Sequence, residues 1–92
     1  MRRRRPAPVE PPASIRAFDP ADWPDHHGEH DAEIIARHAT FWPAGTDMDV
    51  WWWAMSQPQR AEHRWRAAQT RWADDNGVSR AALLYWQLSA PL

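Results

Sequence analysis

Apolar residues recur at intervals of three and four in several stretches of the chain, which is the spacing of a helix. The first stretch predicts a helix over 31–41 with Asp31 as its N-terminal cap. The apolar side of this helix would consist of Ile34, Ile35, His38 and Phe41. The pattern then breaks, and a second helix is predicted over 47–55 with Thr46 as its N-terminal cap.

The longest periodic stretch predicts a third helix over 57–76. Ser56 and Gln59 have the spacing of a capping box at its start. Its apolar side would consist of Ala61, Trp65, Ala68 and Trp72. A short fourth helix is predicted over 80–88, and no stretch alternates as a strand does. The fold class is therefore all-α, a small bundle of three to four helices.

The first 24 residues differ in composition from the rest of the chain. They contain six of the nine prolines and the arginine run Arg2–Arg5. Proline lacks a backbone donor, and adjacent like charges repel one another. We therefore expect a disordered, basic, Pro-rich arm over 1–24, followed by a Trp-rich helical domain over 25–92. The eight tryptophans give this short domain a large apolar surface to bury.

Charge is unevenly distributed between these two parts. The net charge is −1, and because Arg2–Arg5 supply four positive charges, the other residues together carry −5. An acidic domain disfavours nucleic-acid binding over its whole surface. All eleven basic residues are arginine, and Ala, Pro and Trp are frequent. This usage is typical of a GC-rich bacterial, phage or mobile-element genome.

Several classes of function are disfavoured by what the sequence lacks. It has no cysteine, hence no disulfide and no thiolate nucleophile. It shows no Gly-rich phosphate loop and no nucleophile beside a histidine, so we predict no enzyme and no cofactor. No apolar run has the length of a membrane span, and none follows the basic start as in a signal peptide. We therefore expect a cytoplasmic protein without a membrane partner.

Histidines and carboxylates cluster where the helical domain begins. His26 and His30 would share one side of a helix, with Glu29, Asp31 and His38 nearby in sequence. Imidazole and carboxylate groups suit zinc, so a metal site is one interpretation. A polar, solvated start of a helix is the other, and Gly28 disfavours a regular helix there. We assign no metal ligand on this pattern.

Three adjacent tryptophans form the most unusual stretch, Trp51–Trp53. Successive helical residues differ by about 100° in direction, so Val50 and Trp53 would point away from the side that carries Trp52. Either other helices cover both sides, or one side is exposed and binds a partner. The predicted partner-binding residues, which include exposed positions of the fourth helix, are Val50, Trp53, Leu84, Tyr85 and Leu88.

The segment 73–86 resembles the helix-turn-helix of bacterial regulators and transposases. The similar residues are Trp72 and Ala73 on the first helix, Gly77 and Val78 in the turn, Ser79 as cap, and Leu83 and Trp86 on the core side. The resemblance implies a second helix that reads DNA. The residues that would contact nucleic acid are Arg2, Arg3, Arg4, Arg5, Ser79 and Arg80.

These observations favour a small, non-enzymatic interaction or assembly protein, phage- or mobile-element-encoded, that binds a protein or a second copy of itself through an aromatic surface. The alternative is a small DNA-binding protein that uses the corner at Ser79 and Arg80 together with Arg2–Arg5.

Overall fold

The structure, a computed structural model, describes residues 11–89, except for the side chains of His27 and of residues 86–89. Over these residues it is all-helical, as predicted, and forms a small helical bundle. Five α-helices follow one another in the chain: α1 (Ala13–Arg16), α2 (Asp31–Ala39), α3 (Met48–Ala54), α4 (Gln57–Asp75) and α5 (Arg80–Ser89). Two short 3-10 helices, Pro20–Asp22 and Asp25–His27, lie between α1 and α2.

Helix α4 is the centre of the bundle, and α1, α2, α5 and both 3-10 helices pack against it. The predicted capping box is confirmed at its start, where the Gln59 amide donates to Ser56 Oγ and the Ser56 amide donates to Gln59 Oε1. Its buried residues include Ala61 and Trp65 of the predicted apolar side. Ala68 and Trp72 are only half-buried.

The segment between residues 13 and 24 packs against α4, although the sequence predicts a flexible arm through residue 24. The Ile15 carbonyl accepts hydrogen bonds from Trp65 Nε1 at 2.8 Å and from Gln69 Nε2 at 3.0 Å. The Phe18 ring lies 5.3 Å from that of Trp65. Buried indole and amide groups of α4 thus obtain acceptors from this segment, which the composition of the arm did not reveal. Residues 1–10 of the predicted arm lie outside the described residues.

Helices α2 and α3 pack against each other, and both begin differently from the prediction. Asp47, not Thr46, caps α3, because its Oδ1 accepts from the amides of Asp49 and Val50. Asp31 does not cap α2, because its carboxylate binds an arginine of α4 instead. Helix α2 ends at Ala39, so Phe41, predicted on its apolar side, is 82% exposed.

A turn connects α4 to α5, as the sequence predicts. The Val78 amide donates to the Ala73 carbonyl at 2.8 Å, and Gly77 has a φ of +66°, which glycine adopts at low cost. Ser79 Oγ accepts from the Ala82 amide at 3.1 Å and caps α5. Leu83 of α5 is buried.

None of the helices in residues 11–89 has both the length and the apolar character that crossing a membrane requires.

Candidate functional site: the Trp53 surface and its ionic support

Two arginines of α4 hold the segment that precedes α2. Arg60 donates to both carboxylate oxygens of Asp25, from Nε at 3.0 Å and from Nη2 at 2.9 Å. Arg64 Nη1 donates to the same carboxylate at 2.8 Å. The other donors of Arg64 form a bidentate pair with Asp31. Four alternating charges therefore connect α4 to the 3-10 helix at Asp25 and to the start of α2.

Backbone carbonyls complete this ionic network. Arg60 Nη1 also donates to the Met55 carbonyl, and Arg64 Nη1 donates to the Trp23 carbonyl at 3.2 Å. Gln57 Nε2 donates to the Trp23 carbonyl as well, at 3.2 Å. Buried guanidinium groups are stable only when their donors are matched by acceptors of this kind. The network therefore fixes the path of the chain around the start of α4.

The network shifts the pKa of Asp25, Arg60 and Arg64. The hydrogen bonds from Arg60 and then Arg64 lower the pKa of Asp25 from 3.8 to about 2. The hydrogen bond to Asp25 raises the pKa of Arg60, and that to Asp31 raises the pKa of Arg64, in each case against the opposing effect of burial. All of these groups are charged at neutral pH, as the ion pairs require.

Neighbouring indoles of α3 take opposite roles, because they point in directions about 100° apart. Trp52 is 1% exposed, and the Arg64 guanidinium lies 5.4 Å from the centre of its ring. Trp53 is 57% exposed, and the Arg60 guanidinium lies 4.7 Å from the centre of its ring. The same ionic network that supports the buried indole therefore also supports the exposed one.

The exposed indole borders a cleft of about 490 Å³. The other residues that line this cleft are Asp25, His26, Gly28, Glu29 and Asp31. Val50 and Asp49 lie one turn before Trp53 on α3, and both are exposed. We refer to Glu29, Asp49, Val50 and Trp53 together as the Trp53 surface. It combines an apolar centre with an acidic rim.

An aromatic and histidine cluster lies on the other side of α3. Trp51 is 5.1 Å from the His38 ring and 5.7 Å from the His63 ring, and the two histidine rings are 4.8 Å apart, measured between ring centres. Burial lowers the pKa of His63 below 6.5, and the neighbouring His38 lowers it further. This cluster joins α2, α3 and α4, and its burial favours the uncharged form of His63.

The exposure predicted for the partner-binding residues is present wherever the structure describes them. Val50 is 64% exposed, Leu84 is 53% exposed and Tyr85 is 64% exposed. The side chain of Leu88 lies outside the described residues. That any of these residues binds a partner stays a prediction.

The residues predicted to contact nucleic acid are not brought together as a basic surface in the described part of the chain. Arg80 is exposed, but its Nη2 lies 3.7 Å from Asp74 Oδ1. Asp75 is also exposed at the end of α4. Ser79 is occupied as the cap of α5. Arg2, Arg3, Arg4 and Arg5 lie outside the described residues. That they contact nucleic acid stays a prediction.

Side chains at the histidine-rich start of the domain form ion pairs within the protein. Asp25 and Asp31 bind arginines, and His30 lies within 3.8 Å of Glu29 and Glu33. Among the side chains described, no group of three or more histidine, aspartate and glutamate residues is arranged to hold a metal ion.

Comparison of the chain with protein-family models, with curated proteins and with solved structures finds no match.

The ionic network is the feature that sequence reasoning missed. Arg60 and Arg64 stand four residues apart on α4, and both are buried. A pair of arginines one turn apart, together with Asp25 and Asp31 upstream, is the sequence signal of such a network. That signal is weak, because solvated charges have the same spacing on many helices.

Proposed function

We propose that this protein acts by binding a protein partner through the Trp53 surface, without catalysis. The observation that carries the proposal is the exposure of Trp53, at 57%, beside a fully buried Trp52. Large exposed apolar groups on a small domain typically belong to interaction surfaces. Tryptophan is also the side chain that most often contributes the largest share of binding free energy at an interface.

The rigidity of Trp53 supports this role. Its helix is fixed to the bundle by the buried Trp52, and Arg60 stacks on its ring while bonding to Asp25. A side chain already held in one conformation loses little entropy when a partner covers it. A solvated tryptophan without such support would lose more. The Trp53 surface is therefore suited to tight contact.

Helix α5 offers a second exposed apolar area. Leu84 and Tyr85 are more than half exposed, although Leu83 beside them is buried. We propose that this area contributes to partner binding and does not read DNA, because Arg80 at its start is paired with Asp74. An acidic neighbour weakens contacts with phosphates.

Paired substitutions test whether Trp53 serves association or stability. Trp53→Ser should leave the melting temperature nearly unchanged and weaken association. Trp65→Ser should destabilise the fold by several kcal/mol, because Trp65 is 7% exposed and donates to the Ile15 carbonyl. Thermal melts and size-exclusion chromatography with light scattering measure both effects. If Trp53→Ser unfolds the protein as badly as Trp65→Ser does, Trp53 is a core residue and the proposal is wrong.

A photo-crosslinking amino acid at position 50 tests for the partner directly in cells of the native host. Val50 is exposed and lies one turn from Trp53, so a partner on the Trp53 surface would be captured there. The matched control carries the same amino acid at Glu62, an exposed position of α4. A product specific to position 50, and lost on Trp53→Ser, supports the proposal. Equal labelling at both positions contradicts it.

A further inference from the structure

The carboxylates at the rim of the Trp53 surface can form ion pairs with a partner. Asp25 and Asp31 are neutralised by Arg60 and Arg64. Glu29 and Asp49 form no ion pair with an arginine in the described part of the chain. The side chain of Glu29 is 83% exposed. A partner that supplies guanidinium groups beside an apolar contact would match this surface.

This chain contains a segment with that chemistry. Arg2–Arg5 are followed directly by Pro6, Ala7 and Pro8. Proline rings bind well against exposed tryptophan, and a proline-rich segment loses little entropy on docking in an extended form. Arginines next to the prolines would reach the carboxylates at the rim. The sequence of this segment is therefore complementary to the Trp53 surface in charge and in apolar character.

The position of Ile15, which follows this segment in the chain, favours docking on a second copy over docking on the chain's own Trp53. The Ile15 carbonyl contacts Trp65, whereas Trp53 contacts Arg60. Trp65 and Arg60 are five positions apart on α4, which places them about 140° apart around its axis. To dock on its own Trp53, the segment would have to pass from the Trp65 side of α4 to the Arg60 side. Another molecule can present its segment without that constraint.

We propose that residues 2–10 of one copy dock on the Trp53 surface of another copy. This inference rests on the proposed function, because it names the partner of the same surface. The contact is heterologous, since each copy offers one segment and one surface that are different from each other. Such contacts add copies head to tail, and they form rings or open chains. Association should therefore continue beyond a dimer.

Two variants of the full-length chain separate the two halves of the contact. The segment variant replaces all four arginines with glutamine: Arg2→Gln, Arg3→Gln, Arg4→Gln and Arg5→Gln. The surface variant is Trp53→Ser. Each should stay monomeric in sedimentation velocity at concentrations where the unmodified chain associates. Arg66→Gln, at an exposed arginine of α4, is the matched control and should associate as the unmodified chain does.

Mixing the variants is the decisive measurement. The surface variant keeps an intact segment and the segment variant keeps an intact surface, so the mixture should form a dimer and stop there. Its Kd should rise by about tenfold or more between low and high salt, because opposite charges meet at the rim. If Trp53→Ser alone lowers the melting temperature, Glu29→Gln with Asp49→Asn replaces it as the surface variant.

Two results would overturn the inference. One is a mixture that stays monomeric while the unmodified chain associates. The other is an unmodified chain that stays monomeric at every concentration tested. Neither result removes the proposed function, which depends on a crosslink from position 50 to any protein in the native host. Loss of that crosslink, with head-to-tail association absent, would reject both.

Discussion

Arg64 and Asp31 form a bidentate ion pair between the centre of α4 and the start of α2, with Nε–Oδ1 and Nη2–Oδ2 distances of 2.9 and 2.8 Å. The side chain of Arg64 is 4% exposed, and that of Asp31 is 17% exposed. The same guanidinium bonds to Asp25 at 2.8 Å. One buried side chain of α4 thus positions two separate parts of the preceding chain.

Asp31→Asn should destabilise the protein by about 3 kcal/mol, because it removes one of the two carboxylates that pair with the buried Arg64 and leaves Asp25 shared between two guanidinium groups. Urea denaturation monitored by circular dichroism measures this as a lower midpoint at an unchanged slope. Arg66→Gln is the control, because it removes a solvent-exposed pair with Glu62 and should change the free energy of unfolding by well under about 1 kcal/mol. Equal effects of the two substitutions would show that the Arg64 pair contributes no more than a surface pair.

Gly28→Ala should be destabilising although Gly28, at φ −78°, does not adopt the left-handed conformation that favours glycine. A Cβ there would overlap the Asp31 carboxylate, which cannot move without breaking its bonds to Arg64. We expect a loss of about 1–2 kcal/mol, the range of overpacked positions. In an Asp31→Ala background the same glycine substitution should cost nearly nothing, so a double-mutant cycle isolates the overlap. Additive effects would contradict the explanation.

The ionic network should make the free energy of unfolding depend on pH over a narrow acidic range. The pKa of Asp25 is about 2 in the folded chain and 3.8 as its ordinary value. Its contribution is therefore present in full above about pH 4 and is lost as the pH falls through 2. The difference in free energy of unfolding between the unmodified chain and Asp25→Asn should shrink over that range. A difference that stays constant between pH 5 and 2 would contradict this assignment.

His63 should titrate below its ordinary value of 6.5, chiefly because it is partly buried and secondly because His38 lies beside it. As the pH falls, His63 therefore binds a proton at a higher pH in the unfolded chain than in the folded chain. The stabilisation from uncharged His63 is complete above pH 6.5 and declines as the pH falls toward the folded pKa. Nuclear magnetic resonance of the imidazole protons measures the pKa directly. His38→Asn should bring it only part of the way back to 6.5.

The sequence by itself determined the helices and the boundaries that depend on neighbours in the chain. Period and capping residues predict α4, its start at Ser56, its end near Gly77 and the cap of α5 at Ser79, because these depend on contacts a few residues apart. The directions of adjacent helical residues likewise separate Trp52 from Trp53, whose burial differs as expected.

Only the tertiary structure decided which polar groups meet across long separations in the chain. Asp31 is of a residue type that commonly caps helices, but its carboxylate binds Arg64, which lies 33 positions away in the chain. Residues 13–24 have the composition of a flexible arm, but the Ile15 carbonyl accepts hydrogen bonds from buried donors of Trp65 and Gln69. The local sequence pattern does not predict such pairings. The free energy of these hydrogen bonds and ion pairs depends on desolvation and geometry that exist only once the helices pack.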